Sequence, residues 1–129
     1  MHRPSLAMGT YGQIGQQDVA ADRLILLGLE GVLEYIRRAR VAIEKRDPGA
    51  KAQAMDRAYQ IVQHLLVSID HEHGGEIAEN LDSLYRFLLL KLAHANIFDD
   101  LAALEECRPV VQDLREAWAE LLNPPGDHS

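Results

Sequence analysis

The sequence predicts an all-α protein, an antiparallel four-helix bundle preceded by a mobile N-terminal arm. Three observations carry that reading. The apolar fraction is 47% while aromatic residues make up only 5%, and the chain is rich in Ala, Leu, Glu and Arg, which favour helices over strands. Apolar residues recur at spacings of three and four in four successive blocks. Turn and cap residues punctuate those blocks at Asp47-Pro48, Gly74-Gly75 and Asn96 to Asp100. With 129 residues the chain is long enough for one core and too short for two.

Residues 1–17 carry Pro4, Gly9, Gly12, Gly15 and a glutamine cluster without sustained periodicity, so they read as a flexible arm. Tyr11 and Ile14 are its apolar residues spaced for docking, and a chance tyrosine in a disordered leader is the plain alternative. The bundle itself spans 18–122. Its first helix, about 18–46, starts at Asp18 as N-cap and has the seam Ile25, Leu29, Val32, Ile36, Ala39 and Ile43. Leu27 falls opposite that seam. Gly28 and Gly31 sit within the helix, each at roughly 1 kcal/mol relative to alanine. Close helix packing is the favoured explanation, with a shallow dent for a partner side chain as the other.

Asp47-Pro48 supplies an N-cap followed by proline at the first helical position, where a missing N–H removes no bond. The second helix, about 48–72, has the seam Ala54, Ala58, Ile61, Leu65 and Ile69, widened by Val62 and Leu66, and is expected to end in a left-handed Gly74. The third, about 76–95, uses Ile77, Leu81, Leu84, Tyr85, Leu88 and Leu92. Phe87 lies about 120° from that seam and Leu90 nearly opposite it, so with Leu27 they form an apolar patch if the fold gathers them. Asn96 is the expected left-handed terminator, and Asp99 or Asp100 the next cap. The fourth helix, about 99–122, buries Leu104, Cys107, Val111, Leu114 and Trp118, with a kink expected near Pro109. Residues 123–129 read as a disordered tail.

Composition narrows the function. Thirteen Lys and Arg against twenty Asp and Glu leave a net charge of −7, the wrong sign for gripping phosphates, so nucleic acid is not an expected partner. The lone Cys107 forms no internal disulfide and fits a reducing compartment, the cytoplasm. No run of eighteen apolar residues spans a membrane, and the N-terminus lacks the apolar stretch of a secretory signal. His71-Glu72-His73 offers metal-ligand chemistry, but an i, i+2 pair at a helix end splays apart, so a polar helix terminus is the better reading. Glu72, Glu76 and Glu79 lie where acidic residues suit a helix start. No nucleophile elbow, phosphate loop or Cys/His arrangement appears. The sequence therefore points to a binding protein, with no enzyme activity, no catalytic residue, no metal and no cofactor expected.

Several segments resemble the flagellar secretion chaperone FliS family. The similarity is densest in Ile69-Asp70, Gly74-Gly75-Glu76-Ile77-Ala78, Asn80-Leu81 and Leu84-Tyr85, continues through Ala95-Asn96, and returns in Leu114-Arg115-Glu116-Ala117-Trp118. A second stretch covers Leu24-Ile25-Leu26-Leu27, Glu30-Gly31, Tyr35-Ile36 and Ala39. The chain departs from the family pattern at Ala20-Ala21, Gly28, Leu29-Glu30 and Pro109. The resemblance implies a bundle that binds the disordered C-terminal segment of flagellin on apolar grooves, keeps it from polymerising, and delivers it for export, with the flagellar export gate as a further partner. It also implies Tyr11 as an arm or latch residue and Asn80 as a polar contact. Helical geometry adds Leu27, Phe87 and Leu90 as apolar client contacts and Lys91 as a flanking polar group. An alternative from another class is a structural or regulatory bundle that pairs with a folded partner through the same off-seam leucines.

Overall fold

A computed structural model describes residues 19–124. Four helices follow one another: α1 Val19–Glu44, α2 Pro48–Val67, α3 His71–Phe98 and α4 Leu101–Leu122. The described residues hold helices and no strand. The arm over 1–17 with Tyr11, the proposed cap Asp18, and the tail beyond Pro124 lie outside the described residues.

Short connections turn each helix back on the one before it, and packing closes the ring: α1 meets α2 and α4, and α3 meets α2 and α4. The diagonal pairs share little or no interface. The seams fill the centre. Leu29, Val32, Val62, Leu81, Leu88, Leu92, Leu104 and Leu114 are buried together with Tyr85 and Trp118 in one contiguous core. Burying one such side chain contributes about 1.5–3 kcal/mol relative to leaving it in water, so the stripe of each helix is stable only against its neighbours. Cys107 belongs to this core; its Sγ–H donates to the Ala103 carbonyl at 3.6 Å, and burial pushes the thiol up to about 12.

The glycines of α1 answer to close packing. A Cβ on Gly28 would stand 3.3 Å from Ile61 Cγ2 and one on Gly31 3.4 Å from Ile61 Cδ1, so the two glycines let α1 seat Ile61 of α2. They form no vacant dent.

Cap chemistry sets the turns. Asp47 caps α2, its side chain accepting from the Ala50 N–H at 3.1 Å, with Pro48 in the first turn. Arg46 is left-handed with φ 55°, and the Asp47 N–H returns to the Ala42 carbonyl at 2.9 Å. Two expected helix ends move. The second helix stops at Val67, short of Glu72, because Ser68 and Asp70 compete for the backbone: the Ser68 hydroxyl donates to the Leu65 carbonyl at 2.8 Å, and Asp70 caps the next helix. Ile69 between them is buried, which pins the turn. The positive φ falls on Gly75 (φ 54°, ψ −129°) and not on Gly74, so residues 71–74 form a first turn of α3 set off from the rest of that helix. The third helix passes through Asn96 to Phe98 and ends in a left-handed Asp99 (φ 52°). Aspartate tolerates that conformation much as asparagine does, and at position 99 its carboxylate meets Lys51 of α2, whose Nζ also donates to the Asn96 carbonyl at 2.9 Å. Asp100 caps α4 through the Ala103 N–H at 3.1 Å. Pro109 lies within α4, which runs continuously from Leu101 to Leu122.

Candidate functional site

A binding surface on a bundle consists of side chains that the core does not absorb, so the outward faces of the helices decide what it can hold. On α3 the residues named from sequence divide into two strips. Asn80, Phe87 and Lys91 share a line at helical spacing on the flank toward α4. Phe87 is half-buried against the core, the Lys91 ammonium lies 5.8 Å from its ring centroid, and Lys91 Nζ pairs with Glu106 Oε1 of α4 at 2.8 Å. That partner holds the Lys91 pKa above its ordinary value. Lys91 is therefore a bridge between α3 and α4 that roofs Phe87. Asn80 is exposed at the start of the same strip.

Leu90 stands on the solvent face of α3 at 70% exposure, and Ile97, seven residues on, shares that face at the same exposure. Ile97 also borders a groove of about 290 Å³ between α2 and α3, formed with Tyr59, Leu92 and Ala93. Phe98 continues the apolar end of α3, exposed and with its ring 4.7 Å from that of His94.

Leu27 is 61% exposed beside Leu24 on α1. Helices α1 and α3 are diagonal in the ring, so the fold does not gather Leu27 with Phe87 and Leu90 into one patch. Helical spacing fixes the face of Leu27 on α1 and those of Phe87 and Leu90 on α3, but which faces meet depends on the order of helices around the core. The surface is accordingly two-sided, with Leu24 and Leu27 on one side and Leu90, Ile97 and Phe98 on the other.

Sequence reasoning does not single out Ile97 or Tyr59, whose position beside the α2 stripe marks it as a groove wall. The signal for Ile97 was its seven-residue spacing from Leu90. From sequence Arg37 and Arg38 read as ordinary solvated positions and Tyr35 enters only with the family resemblance; the structure sets the three side by side on one turn of α1.

The histidines near the α2–α3 turn serve the helix end. His73 Nδ1 lies 3.0 Å from Asp70 Oδ2, and His71 Nε2 lies 3.6 Å from Asp82 Oδ2. Among the described residues no group of three or more His, Cys, Asp or Glu side chains is placed to hold a metal ion.

Comparison with known proteins follows the same lines. The family model of the flagellar protein FliS matches residues 5–125. The flagellar secretion chaperone FliS of Salmonella typhimurium is 35% identical over 100 residues, covering 77% of this chain and 74% of its own. The flagellar secretion chaperone FliSB of Pseudomonas aeruginosa is 33% identical over 116 residues (87% and 92%), and the FliS chaperone of Escherichia coli 30% over 126 residues (92% and 93%). These relatives are named as chaperones, and no helix among the described residues is long and apolar enough to cross a membrane. A family match over nearly the whole chain, on a four-helix bundle that leaves several large apolar side chains exposed, places this protein in the FliS family of flagellar secretion chaperones.

Proposed function

We propose that this protein is a cytoplasmic, non-enzymatic chaperone that binds the disordered C-terminal segment of flagellin, prevents its premature polymerisation and delivers it to the flagellar export apparatus. The observation that carries the reading is the set of exposed apolar side chains on the two diagonal helices, Leu24 and Leu27 on α1 and Leu90 and Ile97 on α3. A folded partner with one flat face reaches only one side of the bundle. A disordered segment that becomes helical on binding can pass around it and engage both. Such a client gives up several kcal/mol on ordering. Burying about 25 cal/mol per Å² of apolar surface offsets that only along an extended path, which is what two separated strips supply. Tyr11 acts in this reading as an arm or latch, Leu27, Phe87 and Leu90 as apolar contacts, and Asn80 and Lys91 as flanking polar groups.

The test is a titration of the purified protein with the C-terminal segment of flagellin from the same genome, followed by circular dichroism and calorimetry. Binding with a gain of helical signal is expected, and Leu27→Glu and Leu90→Glu should each weaken it about tenfold or more, since each removes the burial of one leucine. Both positions are exposed, so the variants should keep the helical spectrum of the parent. No binding at tens of micromolar, roughly the level of a weak transient contact, overturns the client assignment.

A further inference from the structure

We propose that the groove between the C-terminal half of α1 and the N-terminal half of α2 is a second docking surface, and that it takes an acidic amphipathic helix of a partner protein. The groove encloses about 470 Å³. Four cations rim it, Arg37 and Arg38 from α1, Lys45 from the turn that follows it and Arg57 from α2, while Val41, Ala42 and Ala54 form its floor. The setting makes the rim unusual. The chain as a whole carries −7, whereas among the described residues four positive side chains here meet Asp47, which also lines the groove, and Glu34, which binds both arginines. Four cations against two carboxylates leave a local +2 on an acidic molecule.

Two of the cations are ordered in advance. Glu34 accepts from Arg37 at 3.1 and 2.7 Å and from Arg38 at 2.9 Å, and the Arg38 guanidinium lies 5.3 Å from the Tyr35 ring centroid. Among the described residues, Lys45 and Arg57 have no ion-pair partner. Anions therefore find two positioned donors on one wall and two unpaired cations along the rim.

The shape selects a helix. Small side chains on two adjacent antiparallel helices leave a trough into which the ridge of a third helix fits at the usual 8–10 Å separation. Its apolar stripe would lie on Val41, Ala42 and Ala54 while flanking Asp or Glu residues reach Arg57 on one side and Lys45 on the other. Nucleic acid fits less well, because a local +2 within a −7 chain neutralises few phosphates and the remaining surface repels the rest. The groove shares no lining residue with the strips assigned to flagellin, and the inference stands without that assignment.

The probe is a fluorescein-labelled helical peptide of about 20 residues with glutamates flanking an alanine and leucine stripe. Anisotropy is read for the parent protein, for the Lys45→Glu/Arg57→Glu double variant and for Leu90→Glu, at low and at raised salt. Micromolar binding is expected, at least tenfold weaker in the double variant, weakened by salt and unchanged in Leu90→Glu. Three results overturn the proposal: absence of binding, a double variant that binds as the parent does, or equal binding of a single-stranded oligonucleotide of similar length. A fourth is a monomer–dimer equilibrium of the protein alone in sedimentation that the double variant abolishes, which would assign the groove to a second copy of this chain.

Discussion

Asp70 and His73 show how much one pair of side chains does at a helix start. The Asp70 carboxylate accepts from the His73 backbone N–H at 3.1 Å through one oxygen and meets the imidazole Nδ1 at 3.0 Å with the other. A positive histidine at a helix N-terminus is ordinarily disfavoured by the macrodipole. Here the hydrogen bond to Asp70 raises the His73 pKa above 6.5, and the same bond lowers Asp70 below 3.8. The contribution of His73 to stability is complete below pH 6.5 and is lost as pH rises through its raised folded value. That of Asp70 is present above pH 3.8 and is lost as pH falls through its depressed one. Between 3.8 and 6.5 both operate. In an NMR titration the His73 ring should show a midpoint above 6.5, and Asp70→Asn should bring it back toward that value; a midpoint insensitive to residue 70 would mean that the pair does not form in solution. The sequence reading took these residues for a polar helix terminus. It placed the end of the second helix there, because a histidine and a glutamate suit either side of a turn and only the Ser68 and Asp70 caps decide between them.

At the scale of elements, the glycines separate by what surrounds them. Gly31→Ala places a methyl in ordinary contact with the flexible end of Ile61 and removes the helical penalty of glycine, so it should stabilise the protein by about 0.5–1 kcal/mol. Gly75→Ala meets no neighbour, yet φ 54° and ψ −129° belong to backbone that side chains rarely adopt, and it should destabilise by about 1–3 kcal/mol. Urea denaturation of the two variants beside the parent checks both signs in one series; loss of stability in Gly31→Ala would mean that Ile61 cannot give way. The seams of all four helices were legible in the sequence, since 3.6-residue periodicity follows from which face is dry. The cap at Asp47-Pro48 was legible too, because Asp followed by Pro has one favourable arrangement. The end of α3 was not. Asn96, Asp99 and Asp100 can each end or begin a helix, and the choice fell to Lys51, a residue on another helix that pairs with Asp99.

For the whole molecule, one contiguous core links the four helices, with Trp118 of α4 packed in it at 1% exposure. No pair of helices keeps a dry interface if the others leave. The single tryptophan and the helical signal should therefore report the same event, and denaturation followed by Trp118 fluorescence and by far-ultraviolet circular dichroism should give coincident transitions. Separate transitions would show that a helix pair survives alone. By itself the sequence determined the fold class, the inward face of each helix and the family, because periodicity, helix propensity and local motifs are properties of neighbouring residues. Only the tertiary structure decided that Leu27 stands across the bundle from Leu90, that Lys91 spans to Glu106, and that Arg57 of α2 joins Arg37 and Arg38 of α1 and Lys45 of the turn between them around a common groove. Those relations depend on which helices become neighbours and at what rotation, and that is settled by how four apolar stripes pack together.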